Sequence, residues 1–185
     1  MALTIKDPLL AAARTLLWII MIALGIAVVA TLIAIPAMFI MQDRIAVELA
    51  SEGAEIDAPR MFALVAGLLA LVSVSMALLF RVFQLLKRIV NTVGEGDPFV
   101  PENARRLVQM AWLTLATELV SFPLIGSLVT LIDHVKESGL ADNDDTFVIN
   151  SGFDGSGILL VLILFILARV FREGARMREE IEGTV

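Results

Sequence analysis

The sequence predicts an all-α, polytopic membrane protein with four transmembrane helices and a cytoplasmic helical extension at its C-terminus. Three observations carry this. The 185-residue chain is 58% hydrophobic, with a mean hydropathy of +0.88, above the roughly half apolar content of a water-soluble domain. Its apolar residues gather into separate runs that approach or exceed the length needed to cross a hydrocarbon core about 30 Å thick. Its basic residues collect on alternate sides of those runs, the asymmetry that sets membrane orientation.

The first element follows a short polar start that contains Lys6, Asp7 and Pro8. Residues 15–41 are almost wholly apolar and as a helix would measure roughly 40 Å, so tilt or a bend at Pro36 must absorb the excess. This run is about twice the apolar length of a secretory signal and ends in no small-residue cleavage site, so it reads as a retained span. Gln42 to Arg60 is polar and acidic. The second span covers 62–80 and ends in the basic collar of Arg81, Lys87 and Arg88.

Next, Gly94, Gly96, Pro98 and Pro101 force a compact turn. Pro101 and Glu102 suit the first turn of a new helix, where a missing N–H costs nothing and a negative charge meets the positive end of the helix dipole. The third span occupies 111–132. An acidic stretch from Asp133 to Ser156 precedes the fourth, at 152–171, in which Gly157 to Phe171 is short and needs flanking residues to complete a crossing. The helix then continues into water, with Arg169–Glu173, Arg176–Glu180 and Arg178–Glu182 spaced four apart. The four spans form one domain over 1–185.

Eleven of the fourteen lysines and arginines lie on the side that holds both termini and the middle turn. Both ends are therefore expected in the cytoplasm. Trp18 and Trp112 fall near the inner boundaries of their spans, where indole rings favour the headgroup region.

Glu118 is the one acid well inside an apolar run, about two turns into the third span, and Pro123 follows it. A carboxylate there must face protein or water, and proline removes a donor and crowds the carbonyl of Leu119. Arg81, or alternatively Arg169, is the expected partner in a structural ion pair. The other reading makes Glu118 the centre of a small proton or cation conduit.

Enzymatic chemistry is not expected. The absence of cysteine excludes disulfides, thiol redox chemistry and cysteine metal sites. His134 beside Asp133 lacks the companions of a metal site. ADNDDTFVINSGFDGSG fails the calcium-loop pattern, with Phe147 where glycine is needed and Phe153 where a bidentate glutamate belongs. GEGDP has no preceding strand and no closing lysine. No serine, histidine and acid gather in one place, and no cofactor is expected. The C-terminal helix sets Val170, Gly174, Met177 and Ile181 on one stripe, suited to a partner helix, a membrane surface or the middle turn of its own chain.

The motif LLKRIVNTVGEGDPFVPENARRL, with the tail GILLVLILFILARVFREGARMREEIEGTV, resembles the bacterial membrane family called domain of unknown function 2975. The resemblance rests on Gly96, Pro98, Phe99, Glu102, Asn103, Arg106 and the 171–185 tail. It implies a four-pass protein of this size and, because a small helix-turn-helix regulator is encoded beside some members, a membrane partner for a cytoplasmic factor. The expected interaction face comprises Asp97, Pro98, Phe99, Glu102, Asn103, Arg106, Arg172, Met177 and Ile181. Its partners are the lipid bilayer and a helix-turn-helix regulator or a membrane protein, without direct contact to nucleic acid. A homo-oligomer is left open.

The expectation is thus a non-enzymatic regulatory or interaction protein, with a transporter or channel centred on Glu118 as the alternative. The alternative predicts that Glu118→Gln abolishes proton or cation flux in proteoliposomes. Equal flux from parent and variant removes it.

Overall fold

The computed structural model describes residues 8–51, 57–138 and 155–182. These form four α-helices in the order α1 (Pro8–Ser51), α2 (Ala58–Gly94), α3 (Pro101–Glu137) and α4 (Ser156–Glu182), and no strand occurs among the described residues. The helices are longer than the apolar runs. α1 carries on through the polar residues from Gln42 to Ser51, α2 through the basic collar, and α3 starts at Pro101, ten residues before its apolar stretch. Hydropathy marks where lipid ends, whereas a helix stops only where its backbone is capped or broken. At 37 residues, α2 and α3 measure about 55 Å each.

Three of the helices, α1, α2 and α3, are long and apolar enough to cross a membrane. The fourth element is a helix, but its apolar run stops at Ala168 and Arg169, Arg172 and Glu173 follow. That leaves it short of the roughly 20 residues a crossing uses. Residues 152–154 of the expected fourth span lie outside the described ones, as do residues 141–154 of the acidic segment weighed against a calcium loop.

The chain packs as two compact units. The first draws on the start of α1, the end of α2, the start of α3 and α4. Its core is Ile89 from α2, Leu107, Met110 and Ala111 from α3, and Val161, Leu164 and Ala168 from α4, flanked by Leu85, Leu86, Val93, Phe165 and Phe171. Those positions recur every three or four residues, which places them on one face of each helix. α1 lies along α2 in this unit, where a Cβ at Gly25 would reach van der Waals distance of Phe80 and Lys87 Nζ lies 3.5 Å above the Trp18 ring.

The second unit takes the rest of α1, α2 and α3. Here Ser73, buried on α2, donates to Thr31 Oγ1 of α1 at 2.8 Å, while Thr31 donates to the carbonyl of Ala27 one turn back. His134 Nδ1 lies 3.8 Å from Glu137, a neighbour on its own helix. Along α1, Ile19, Ile22, Ile26, Val29 and Ile33 are exposed at three- and four-residue spacing. Such a continuous apolar stripe is suited to hydrocarbon and not to water.

The turn between α2 and α3 is closed from within. Gly96 has φ = 86°. Its N–H donates to the Val93 carbonyl and that of Asp97 to the Thr92 carbonyl, both at 3.1 Å, the paired bonds that end a helix on a left-handed glycine. Asn103, in the first turn of α3, has no exposed surface. Its Nδ2 donates to Thr92 Oγ1 at 2.8 Å and to the Pro98 carbonyl at 2.9 Å, and its Oδ1 accepts from Arg106 Nη1 at 2.7 Å.

One amide thus ties the last turn of α2, the loop and the first turns of α3. Asn103→Ala strands the Pro98 carbonyl and the Arg106 guanidinium and is expected to lower stability by about 2–3 kcal/mol in detergent unfolding. A loss below about 0.5 kcal/mol would contradict this role.

Candidate functional site

The expected interaction face assembles where α4 crosses the α2–α3 turn, in the first unit. Phe99 reaches from the turn onto α4. Its ring meets Phe171 at a centroid distance of 5.4 Å, tilted by 51°, and rests on Gly174. A Cβ at position 174 would come within 2.6 Å of the ring, so glycine provides the seat. Asp97 accepts from Arg178, tying the same turn to the next part of α4. Of the readings open for the C-terminal stripe, packing of Gly174 on the chain's own middle turn is realised.

That contact leaves Val170, Met177 and Ile181 of the stripe exposed. Met177 is 52% and Ile181 70% accessible. With Phe99, Gly174 and Arg178 they line an open groove of about 560 Å³. Around α4 from it lies a second groove of about 410 Å³, bordered by Arg105, Arg172, Arg176 and Glu179 over the buried methyls of Ala104 and Ala175. Residues 172, 176 and 179 are about half a turn round the helix from 170, 174, 177 and 181.

Of the other expected face residues, Pro98 is half-buried and accepts from Asn103, and Glu102 is exposed at the start of α3. Asn103 offers no surface and supports the face from beneath. Half-buried Arg106 is held by Asn103, and Arg172 is exposed at the second groove.

Of the pairs expected from spacing, Arg176–Glu180 forms in the charged half of α4, and further pairs join it. Arg176 binds Glu173, one turn back, at 2.5 Å and sits 3.8 Å from Glu180, while Arg178 turns to Asp97. The hydrogen bond and charge of Glu173, then the charge of Glu180, raise the pKa of Arg176 above its ordinary value, so it stays a cation at any working pH.

Glu118 is half-buried on α3, and its carboxylate lies against the backbone of α4. A Cβ on Gly157 would collide with Glu118 Oε1. Glycine at 157 therefore makes the space the carboxylate occupies, a role with no signature in a sequence where Gly157 only opens an apolar run. Arg81 is exposed and donates from Nη1 to Gln84 Oε1 at 2.9 Å on its own helix. Arg169 and Pro123 are exposed as well, and the Pro123 carbonyl accepts from Ser127 at 2.7 Å. Sequence reasoning also passed over Arg105, Arg176 and Glu179 as a group. The three- and four-residue spacing of Arg172, Arg176 and Glu179 was the available signal.

No curated protein and no solved structure matches the chain. The family model described as "Protein of unknown function (DUF2975)" matches residues 44–185, a longer stretch than the middle turn and tail that carry the resemblance. The match includes the turn, the two grooves, Glu118 and Gly157, and the chain belongs to this family.

Proposed function

We propose that the chain is a non-enzymatic regulatory or interaction protein of the bacterial inner membrane, working through a cytoplasmic face built from the α2–α3 turn and the second half of α4. The observation that carries this reading is the open apolar groove of Phe99, Val170, Gly174, Met177 and Ile181. It lies on a segment whose charge, from Arg172 to Glu182, is suited to water and not to lipid. Exposed apolar side chains held in a row on such a segment are suited to receiving the apolar face of a partner helix.

In this reading the chain crosses the membrane four times, with 152–171 as the last crossing. Both termini and the middle turn face the cytoplasm, supported by the clustering of lysine and arginine at that end. The partner is a cytoplasmic protein that presents an amphipathic helix, a description that a small helix-turn-helix regulator meets. Arg178, already turned toward Asp97 at the groove's rim, leaves the groove itself apolar, so recognition rests on shape and hydrophobic burial.

The full-length chain carrying Met177→Glu and Ile181→Glu keeps the first unit's core, because neither residue belongs to it. Co-purification from membranes in mild detergent is expected to recover a stoichiometric soluble partner with the parent and at least about tenfold less with the variant, a loss of about 1.4 kcal/mol or more. Equal recovery from both, or no soluble partner with either, would contradict the reading.

A further inference from the structure

We propose that the basic groove between the start of α3 and the charged half of α4 binds the phosphate headgroup of an anionic phospholipid. Three guanidinium groups, from Arg105, Arg172 and Arg176, border it, and Glu179 is the one carboxylate among its described lining residues. Glu173 and Glu180 face Arg176 from its own helix, and Glu102 stands at the start of α3. Arg105 and Arg172 are exposed and form no ion pair with another described residue. Guanidinium groups match phosphate oxygens in both charge and planar geometry.

The surroundings favour a lipid over a soluble anion. Trp112 lies seven residues after Arg105 on α3, and Phe165 seven residues before Arg172 on α4. Seven residues are two turns, so each aromatic lies on its arginine's face of the helix, about 10 Å along the axis. The two aromatics touch, edge to face, at a centroid distance of 5.8 Å, and Trp112 is 60% exposed.

Cations therefore sit at one end of a seam and an accessible aromatic floor at the other. That order matches a lipid, with phosphate at the arginines and acyl chain along Trp112. The exposed apolar residues of α4 from Ile158 to Leu167 begin on the aromatic side, which puts the arginines at headgroup depth. Basic pockets between helices at that depth hold acidic headgroups.

The test uses the purified full-length chain in a neutral detergent with three probes: phosphatidylglycerol, phosphatidylcholine with the same acyl chains, and inorganic phosphate. Phosphatidylglycerol is expected to raise the unfolding midpoint and to remain bound in native mass spectrometry, and the other two are not. Arg105→Gln with Arg172→Gln is expected to weaken the phosphatidylglycerol response about 30-fold, and lysine at both positions, which keeps the charge but not the planar fork, to weaken it less than glutamine does. An equal response to phosphatidylcholine would overturn headgroup recognition, and an equal response to inorganic phosphate would overturn the lipid assignment. An unchanged response in the double glutamine variant would remove the arginines from the site. Should that variant fail to fold, the three-probe comparison on the parent and the lysine variant still decides.

Discussion

Asn103 does what no apolar residue could do at its position. Its amide has two donors and one acceptor oxygen, and all are used within the turn, on Thr92, Pro98 and Arg106. Complete burial makes those bonds obligatory, since an unmet polar group there would incur the full desolvation cost. With Asn103 in place, α2 can end on Gly96 and α3 can begin at Pro101 without an exposed apolar plug. Phe99 is then free to point outward, and the seat for α4 follows.

α4 meets that seat largely through small residues and one aromatic ring. Gly174 lets the Phe99 ring lie close, Phe171 flanks it, and Ala168 and Ala175 are small enough to be almost wholly buried. Small residues permit the close approach from which helix packing gains its dispersion energy. Further along the same helix, Gly157 makes room for the Glu118 carboxylate. Two glycines on one helix thus accept two side chains, an aromatic ring in the charged half and an acid in the apolar half. Arg178 adds a charge-assisted bond to Asp97 at the periphery, where exposure limits its worth to about 1 kcal/mol or less.

Much of this architecture was legible in the sequence because it depends on local chemistry. The apolar runs predict four spans, of which α1, α2 and α3 are long and apolar enough to cross a membrane, and Gly96, Pro98, Pro101 and Glu102 mark the turn and the start of α3. The C-terminal residues were read as one continuous helix, and that is α4. Helix ends were less legible. Arg81 to Gly94 and Glu102 to Met110 look like the edges of spans, yet they form regular helix that carries the first unit's core.

The site was legible as a region but not in its roles. Asn103 reads as a polar surface residue until the turn closes around it. The partner of Glu118 depends on how α3 and α4 are phased, which spacing does not encode, and a glycine leaves no chemical signature of the space it provides. Arg81 had an acceptor one turn away in Gln84, a local bond that competes with any distant acid. The basic groove was missed because its cations come from two helices far apart in sequence, and only folding brings Arg105 beside Arg172 and Arg176.

The central claim is that α4 is clasped on the α2–α3 turn through Phe99 and Gly174. The chain has no cysteine, so a pair introduced as Phe99→Cys and Gly174→Cys reports on that contact alone. In isolated membranes under mild oxidant the pair is expected to form an intramolecular disulfide readily, because the side chain of residue 99 lies directly over residue 174. A pair at 99 and 166, the latter about 12 Å along the α4 axis from residue 174, is expected to stay reduced. Free thiols at 99 and 174 under conditions that oxidise a positive control would contradict the account.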